Sequence, residues 1–326
     1  MPPLMKTIFR WLTAGMLGFS AAVLAQPKAA EFPVRPIRLI VTVAPGGGAD
    51  AMTRVAGRIM SERWGQSVVV DNRPGAGGVI ATELVARAAP DGYTLLSLGD
   101  TLMLVGASKL VPFDVRKTFD PVVNLTSQPY ILLVGLNLPA KNMKELIAYS
   151  VTQTLSYGSS GIGGIVHVGM ERLAKVTGGK FLHVPYKGTA PSIIGVIGGE
   201  IHMVPGSSIA ATAAIKTGKV RGLAAMGLTR IATLPDLPTV AEQGWPDYKL
   251  TNRYGLAAPA GTPRAILAAL NRTVSDGMHA PQMVQRLAAE GAQAADRRSP
   301  EELKAEFARE YVEVEQQVRQ LNLQLN

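Results

Sequence analysis

Residues 37–50, IRLIVTVAPGGGAD, decide the fold of this chain. The first half, residues 37–43, is apolar almost throughout and rich in β-branched residues, a pattern typical of a strand buried on both faces of a parallel sheet. Pro45 and three consecutive glycines, residues 46–48, follow, and neither a strand nor a helix interior favours such a run. From Ala49 onward, apolar residues recur at helical spacing. The stretch therefore predicts a strand, a glycine turn and the start of a helix.

This arrangement points free backbone N–H groups and the positive end of a helix at one place, where a carboxylate or a phosphate would bind. A turn with a purely structural role is the alternative. A P-loop needs a Lys and a Ser or Thr after its last glycine, whereas Gly48 is followed by Ala49 and Asp50. The dinucleotide-binding fingerprint G-x-G-x-x-G is also missing. The sequence thus disfavours nucleotide binding.

The first 25 residues have the pattern of a secretory signal peptide. Lys6 and Arg10 precede an apolar run at residues 11–24, and small residues precede the expected cleavage point after about Ala25. The apolar run is shorter than the roughly 20 residues of a membrane span, so an uncleaved anchor is the weaker alternative. We therefore expect an exported protein.

Composition excludes several classes of protein. The 326 residues suffice for two domains of ordinary size. The absence of cysteine removes thiol catalysis and Cys-based metal sites. The chain is basic, with 33 Lys and Arg against 24 Asp and Glu. These charges are scattered and not interleaved with aromatic residues, so nucleic-acid binding has little support.

Strand and helix signals alternate along the rest of the chain, which predicts right-handed βαβ units and a mainly parallel sheet. A second glycine turn, at residues 73–78, is interpreted as structural, although it could also hold an anion. A third, at residues 158–164, again lies between a strand and a helix start. There the hydroxyls of Ser159 and Ser160 add donors, or else they cap the helix. Two such strand–glycine–helix loops, one in each half of the chain, favour an anion site over turn geometry alone.

Two further patterns bear on the architecture. Residues 122–125 and 131–136 are predicted to form two strands. Residues 300–321 are predicted to form a long helix, because apolar residues recur there three to four positions apart and give one packing stripe. That stripe consists of Leu303, Phe307, Tyr311, Val314 and Val318.

No catalytic set can be assembled from the sequence. The four histidines have no carboxylate at the spacing of a zinc motif, and residues 158–161, GSSG, are not the nucleophile elbow G-x-S-x-G. His167 lies about one helical turn after the third glycine turn and points either to a cleft or into its own helix packing. Asp50 is a candidate base, but a carboxylate in the first helical turn also suits the helix dipole. We expect no enzymatic activity; an exported hydrolase of the serine or metal type is the alternative.

A resemblance to a known family rests on blocks that occur in order along the chain. The blocks are PIRLIV at residues 36–41, PGGGAD at 45–50, VVDNRPGAGG at 69–78, APDGYTLL at 89–96, YGSSG at 157–161, HVPYKG at 183–188, LPTVAE at 237–242 and GLAAPAGTP at 255–263. In these blocks, and over essentially the whole mature chain, the sequence resembles the substrate-binding proteins of tripartite tricarboxylate transporters, the Bug-type periplasmic receptors.

The resemblance implies an α/β protein with the two-lobe, type II periplasmic-binding-protein fold, each lobe a mainly parallel sheet flanked by helices. Residues 31–126 with 250–326 would form one lobe and residues 127–249 the other. The ligand would bind in the cleft between the lobes, which close over it. The resemblance further implies a periplasmic monomer, without cofactor or nucleic acid, that presents a small organic acid to the membrane permease subunits of the transporter. A receptor that serves signalling rather than uptake is the alternative.

Carried over residue by residue, the resemblance places the ligand between two loops, held largely by backbone N–H groups and ordered water. The first loop, residues 44–50, supplies Ala44, Pro45, Gly46, Gly47, Gly48 and Ala49, to which we add Asp50. The second loop, residues 159–164, supplies Ser159, Ser160, Gly161, Ile162, Gly163 and Gly164.

The chain departs from the family pattern in and around these loops. Ala49 stands where Thr is usual, and residues 164–166 stand where Ser or Thr residues usually precede His. Gly195 and His202 occupy positions where acidic residues are common. We therefore expect a pocket with fewer hydroxyl groups. Arg253 replaces a frequent aromatic residue, and its guanidinium either pairs with a second ligand carboxylate or is a surface charge.

Overall fold

The structure, a computed structural model, describes residues 32–321 of the chain. The chain divides into Met1–Phe32 and Pro33–Asn326, and the architecture below is that of the second unit. The signal peptide predicted for residues 1–25 lies outside the described residues. Among the helices that the structure describes, none combines the length and the apolar character needed to cross a membrane.

Strands and helices alternate along the described residues. The strands, β1 to β10, are Ile37–Val41, Val68–Asn72, Thr94–Gly99, Phe119–Gly135, Leu155–Ser159, Phe181–Pro185, Met203–Ser207, Val220–Ala225, Thr251–Pro259 and Gln293–Ala294. The helices, α1 to α11, are Gly48–Trp64, Val79–Ala86, Asp100–Ala107, Val115–Thr118, Met143–Thr152, Ile165–Thr177, Thr189–Gly198, Ser208–Lys216, Arg264–Met278, Pro281–Ala289 and Pro300–Leu321.

The strands form one mixed sheet. Its main path is β2-β1-β3-β9-β4-β7-β5-β6, and β8 and β10 pair with β4 beside this path. Pairing is parallel in β2-β1-β3 and in β7-β5-β6, so the predicted βαβ units form the two ends of the sheet. Pairing is antiparallel wherever β4 or β9 takes part. This centre differs from the predicted parallel arrangement, because strand direction depends on long-range pairing that periodicity does not encode.

The two ends of the sheet are the sheets of two lobes. We call the end formed by β1, β2, β3, β9 and β10 lobe 1, and the end formed by β5, β6, β7 and β8 lobe 2. Strand β4 belongs to both, since its first part pairs with β9 and its last residues pair with β7 and β8. The two-lobe α/β fold is thus present, and a single strand carries the chain from one lobe into the other.

Strand β4 corrects one prediction. The two strands expected at residues 122–125 and 131–136 are one continuous strand of 17 residues. The polar residues between them look like a loop in sequence, but their backbone remains in the sheet. Thr126 pairs with Tyr254 and Gln128 with Asn252. Ladder hydrogen bonds therefore satisfy a backbone that the side chains alone suggest is irregular.

The buried core confirms the predictions for β1 and for the C-terminal helix. Leu39, Ile40 and Val41 are fully buried, and because successive side chains of a strand point to opposite faces, both faces of β1 are covered. Helix α11 spans Pro300–Leu321. Its stripe packs on the sheet of lobe 1, with Leu303, Phe307, Tyr311 and Val318 buried and Val314 partly buried.

Candidate functional site

The first loop leaves the N-terminus of α1 open. The helix begins after the N-cap Gly47, which has φ −84° and ψ 170° and no side chain to cap the helix. Gly46, with φ +91°, lies in the left-handed region that glycine tolerates best. The first N–H groups of a helix have no acceptor one turn earlier. Within residues 32–321, the N–H groups of Gly48 and Ala49 donate to no protein acceptor, which leaves them available to an anion.

An open space lies beside this helix end. Gly47 is buried, yet no atom lies within 4 Å of the position that its Cβ would occupy. On the other side, a Cβ on Gly48 would overlap the hydroxyl oxygens of Ser207 and Tyr254. Both side chains are buried. Hydroxyl groups from the end of β7 and from the middle of β9 therefore border the open helix end.

Asp50 organises the first loop from within. Its carboxylate accepts hydrogen bonds from the N–H of Gly46, the Nε of Arg54 and the Nδ2 of Asn72, each at 3.0 Å. Burial opposes ionisation of Asp50, but the hydrogen bonds from these three groups outweigh it and lower the pKa of the carboxyl. The carboxylate is thus ionised and occupied by protein donors. It has no capacity left for the base role considered from the sequence, and it also takes up the N–H of Gly46.

The second loop is folded around the hydroxyl of Ser159. The Oγ atom accepts the N–H of Gly161 at 3.0 Å and lies 2.6 Å from Nε2 of His183. Gly163 donates its N–H to Nδ1 of His167 at 3.1 Å. The loop thus directs the N–H groups of both glycines inward. Ser160 is the second serine of the loop, and within the described residues its hydroxyl makes no hydrogen bond to protein.

The two histidines under the second loop are uncharged at neutral pH. Burial lowers the pKa of His167, an effect that the field of Glu171 opposes. Burial, together with the neighbouring His167, lowers the pKa of His183 to about 4. His167 therefore faces into the protein under the loop, which answers the question that its sequence position left open.

The loops of the two lobes meet at glycines. Ala44 donates its N–H to the carbonyl of Lys187 at 2.8 Å. A Cβ on Gly77 would overlap the carbonyl oxygen of Ile162, and a Cβ on Gly161 would lie 3.1 Å from the Cα of Gly77. The glycine turn at residues 73–78, interpreted from the sequence as structural, therefore forms a direct contact between lobes. Only residues without side chains allow this approach.

A groove of about 540 Å³ opens at this contact. Its walls are the glycine turn at residues 75–77, the second loop at residues 160–162 and residues 185–187 from the end of β6. Ser160 and Lys187 are the polar and charged residues of the second loop and the β6 end that line it. The groove therefore gives the lobe junction a mainly apolar face that is open to solvent.

Arg253 lies elsewhere. Its Nη1 donates to Glu310 of α11 at 2.7 Å, and the same guanidinium lies 3.5 Å from a carboxylate oxygen of Glu306. The side chain thus points to the C-terminal helix, away from the first loop. Tyr254, the next residue of β9, points to the opposite face of the sheet and reaches Gly48. Arg253, which the sequence suggests as a ligand contact, is therefore the neighbour of the residue that borders the helix end.

Sequence reasoning missed three residues of the junction, Ser207, Tyr254 and Gly77. Ser207 ends β7 and is the N-cap of α8, so a strand-to-serine-to-helix junction was the signal that could have identified it. Gly77 belongs to a glycine-rich turn that the sequence had already singled out. Nothing in the local sequence indicates that Tyr254 meets the first loop, because that contact depends on the pairing of β9.

A hydrolytic site is not supported by the geometry around Ser159. The 2.6 Å contact with His183 is the kind of pair that activates a serine. However, Ser159 is only 1% exposed, and its hydroxyl is already bonded to Gly161. A substrate carbonyl cannot reach it. Among the described residues, no cluster of three or more His, Asp or Glu side chains could hold a metal ion.

The fold defines a two-lobe periplasmic solute-binding protein in which each lobe carries one of the two strand–glycine–helix loops. Residues 52–322 match the family described as tripartite tricarboxylate transporter family receptor. The chain belongs to this family of periplasmic solute receptors.

Similar proteins agree with this assignment. BugT of Bordetella pertussis is 33% identical over 283 residues, which cover 85% of this chain and 87% of BugT. The structure of MatC from Rhodopseudomonas palustris with bound malate has a TM-score of 0.83 at 31% identity and covers 88% of this chain and 100% of MatC. A second R. palustris protein, solved with adipate, has a TM-score of 0.83 at 30% identity and covers 89% of this chain and 98% of that protein.

Proposed function

We propose that this protein captures a small organic carboxylate between its first and second loops and presents it to the membrane permease subunits of a tripartite tricarboxylate transporter. The observation that carries the proposal is the uncapped N-terminus of α1 beside the open space at Gly47. A carboxylate in that space would accept the N–H groups of Gly48 and Ala49 and meet the positive end of the helix. Membership of the receptor family supports the role.

The proposed contacts are a revised form of the set inferred from the sequence. We keep the donors that have no protein acceptor among the described residues: the N–H groups of Gly47, Gly48, Ala49 and Ile162 and the hydroxyl of Ser160. The hydroxyls of Ser207 and Tyr254 are added because they border the helix end.

The remaining residues of the inferred set act indirectly. The N–H groups of Ala44, Gly46, Gly161, Gly163 and Gly164 are bonded within the protein, and Pro45 has none. Asp50 and Ser159 hold the two loops in shape. Arg253 is left out of the site because its guanidinium is paired with α11.

A dicarboxylate is the first candidate ligand. The relatives solved with malate and with adipate both carry a ligand of this class. One carboxylate would occupy the space at Gly47. Hydrogen bonds to a charged group contribute roughly 1.5–3 kcal/mol each, and a helix N-terminus adds about 0.3–1 kcal/mol. Three or four such bonds, less the costs of ordering and closure, are enough for the roughly −8 kcal/mol of a micromolar site.

The rest of the proposal follows from the receptor role. The ligand would be released unchanged, so we propose no catalytic activity and no cofactor. The exported chain would be cleaved after about Ala25 and act as a monomer in the periplasm. Residues 31–126 with 250–326 would move as one lobe and residues 127–249 as the other, about a hinge at β4 and at the chain segment just before β9.

The experiment is a thermal-shift and calorimetric screen of the mature chain, from Gln26 onward. Acetate, malate, adipate and citrate are compared with amino acids, sugars and amines. A ligand at about 100 times its Kd stabilises the folded state by about 2.7 kcal/mol, which raises the Tm of a protein of this size by a few degrees. We expect shifts with dicarboxylates and none with sugars or amines.

Two outcomes of the same screen would contradict the proposed function. Shifts confined to sugars or amines would contradict a carboxylate site. Conversion of a bound ligand, followed by NMR of the recovered solution, would favour the alternative of an exported hydrolase.

A further inference from the structure

Two stacked histidines support the second loop. His167 in the first turn of α6 and His183 in β6 have ring centroids 4.0 Å apart, with the ring planes inclined by only 14°. His167 is buried and His183 is half-buried. Neither ring is among the contacts proposed for the carboxylate. Because both rings lie directly under the second loop, we expect the pair to have a separate function in supporting that loop.

Each imidazole is tied to the loop through one nitrogen. Nδ1 of His167 accepts the N–H of Gly163 at 3.1 Å, so the ring carries its proton on Nε2 and is neutral. Nε2 of His183 lies 2.6 Å from the hydroxyl of Ser159. That hydroxyl in turn accepts the N–H of Gly161 at 3.0 Å. The two rings therefore fix the orientation of two peptide groups in a six-residue loop.

Charged and ionisable neighbours reach the pair from two elements. Glu171, on α6, is the charged residue whose field acts on His167. From β5, the ring of Tyr157 lies 5.1 Å from that of His183, and its hydroxyl donates to Glu171 at 2.8 Å. Glu171 is thus already engaged by a neutral donor. The pair has no carboxylate hydrogen-bonded to either ring among the described residues, and the neutral form is the one that this packing suits.

We propose that the stacked pair His167–His183 positions the second loop for carboxylate capture and that protonation of the pair releases the ligand. The inference rests on the function proposed above. Because Gly161 and Gly163 turn their N–H groups inward to Ser159 and His167, the donors of Ser160 and Ile162 remain for the ligand. The pair therefore sets which groups of the loop face the cleft.

Protonation disrupts this support in two ways. An imidazolium carries a proton on both nitrogens, so His167 can no longer accept the N–H of Gly163. Two cationic rings with centroids 4.0 Å apart also repel each other. The loop then loses the contacts that orient its peptide groups. Affinity for a carboxylate accordingly falls as the medium is acidified.

The test compares ligand affinity across pH for variants of His167. Calorimetric titrations with malate and adipate are run on the mature chain from about pH 7.5 to about pH 3.5. This range begins above the ordinary histidine pKa of about 6.5 and ends below the pKa of His183, which burial and the neighbouring His167 lower to about 4. In His167→Asn, Oδ1 takes the place of Nδ1 but does not titrate. We expect it to bind within about threefold of wild type at neutral pH. His167→Leu, which has no acceptor, is expected to bind about tenfold more weakly.

The pH profile distinguishes positioning from simple packing. The ligand's own carboxyl groups also take up protons at acid pH, but they do so equally with every variant. We therefore expect wild type to lose more affinity on acidification than His167→Asn. His202→Asn is the matched control, because Nδ1 of His202 accepts the N–H of Ser156 at 3.0 Å on the exposed surface, outside both loops. It should follow the wild-type profile. Identical profiles for wild type and His167→Asn would overturn the proposal.

A ligand-free readout separates this inference from the proposed function. The amide resonance of Gly163 reports its bond to His167 directly. We expect it to shift on acidification in wild type and to remain unchanged in His167→Asn. If the amide resonance of Gly163 in wild type does not shift on acidification, the histidine inference is overturned whether or not a carboxylate binds. If no carboxylate binds but the Gly163 amide resonance does shift, the proposed ligand class is wrong. The support of the second loop by the histidines would still be established.

Discussion

Gly47 shows how a single missing side chain shapes the candidate site. Helix N-caps are usually Ser, Thr, Asp or Asn, whose side chains accept a first-turn N–H group. Gly47 cannot do so, and no other side chain does so for Gly48 or Ala49 within the described residues. The space beside Gly47 is open and wide enough for an added atom. In our proposal, the ligand's carboxylate accepts the N–H groups that a capping side chain would otherwise accept.

Gly47→Asp is the sharpest single substitution at this residue. The backbone at φ −84° accommodates a side chain, and the new carboxylate would enter the space and cap α1 itself. We expect an affinity loss of at least about tenfold for dicarboxylates, with folding stability unchanged or raised by a few tenths of a kcal/mol. Calorimetry and urea denaturation measure the two effects. Gly47→Asn, equal in size but uncharged, should weaken binding less. Wild-type affinity in Gly47→Asp would place the ligand elsewhere.

At the residue scale, the open N-terminus of α1 could be predicted from the sequence because backbone geometry decides it. Three glycines between an apolar strand and a helix specify an open helix end whatever the rest of the chain does. The side-chain roles of Asp50 and Arg253 could not be predicted this way. Asp50 is occupied by Asn72 from β2 and Arg253 by Glu310 from α11, partners that only the folded chain brings near. The choice between Arg253 and Tyr254 also depended on which face of β9 meets the first loop.

Among the elements, α11 is fixed to the sheet by the ion pairs of Arg253 as well as by its apolar stripe. The side chains of Arg253 and Glu310 are only 27% and 28% exposed. Arg253→Met removes the guanidinium but keeps apolar contact, and leaves the carboxylates of Glu306 and Glu310 without this partner. We expect a loss of about 1–3 kcal/mol in the free energy of unfolding and no change in ligand affinity.

Chemical denaturation and calorimetry check this prediction. Arg297→Met is the matched control, because its pair with Asp276 is 54% and 60% exposed and should contribute less than about 1 kcal/mol. A loss of ligand affinity in Arg253→Met at unchanged stability would return Arg253 to the ligand site.

Elements with strong periodicity were predictable, and elements defined by pairing were not. The buried strand β1 and the striped helix α11 follow from apolar spacing alone. The long strand β4 does not, because Thr126 and Gln128 are polar and keep their extended backbone only through pairing with β9. The antiparallel centre of the sheet depends on the same pairing. Local sequence therefore specified the outer βαβ units but not how the chain passes between lobes.

At the scale of the whole molecule, glycines at the junction allow the lobes to approach each other. Gly48→Ala tests this point, because its Cβ would overlap Ser207 of lobe 2 as well as Tyr254 of its own lobe. We expect ligand affinity to fall about tenfold or more, and the radius of gyration with ligand to stay at its ligand-free value in small-angle X-ray scattering. Ser207→Gly, added to Gly48→Ala, should restore part of the affinity by making room. Normal compaction of Gly48→Ala with ligand would refute the role of this contact.

The stacked histidines also give the whole fold a pH dependence that can be measured without any ligand. In the unfolded chain both histidines take up protons as the pH falls through about 6.5. In the folded protein burial lowers both pKa values, that of His183 to about 4. Between these values the unfolded state binds more protons, so the free energy of unfolding must fall with pH from about 6.5 toward about 4. The carboxyl of Asp50, whose pKa is lowered from 3.8, loses its contribution to stability only in more acidic solution.

Urea denaturation between about pH 6.5 and about pH 4 should show the decline in the free energy of unfolding. His183→Gln should flatten the decline while keeping an amide next to Ser159. A wild-type stability that is level between these pH values would mean that the pair protonates freely in the folded state, and the loop would then have no proton-sensitive support.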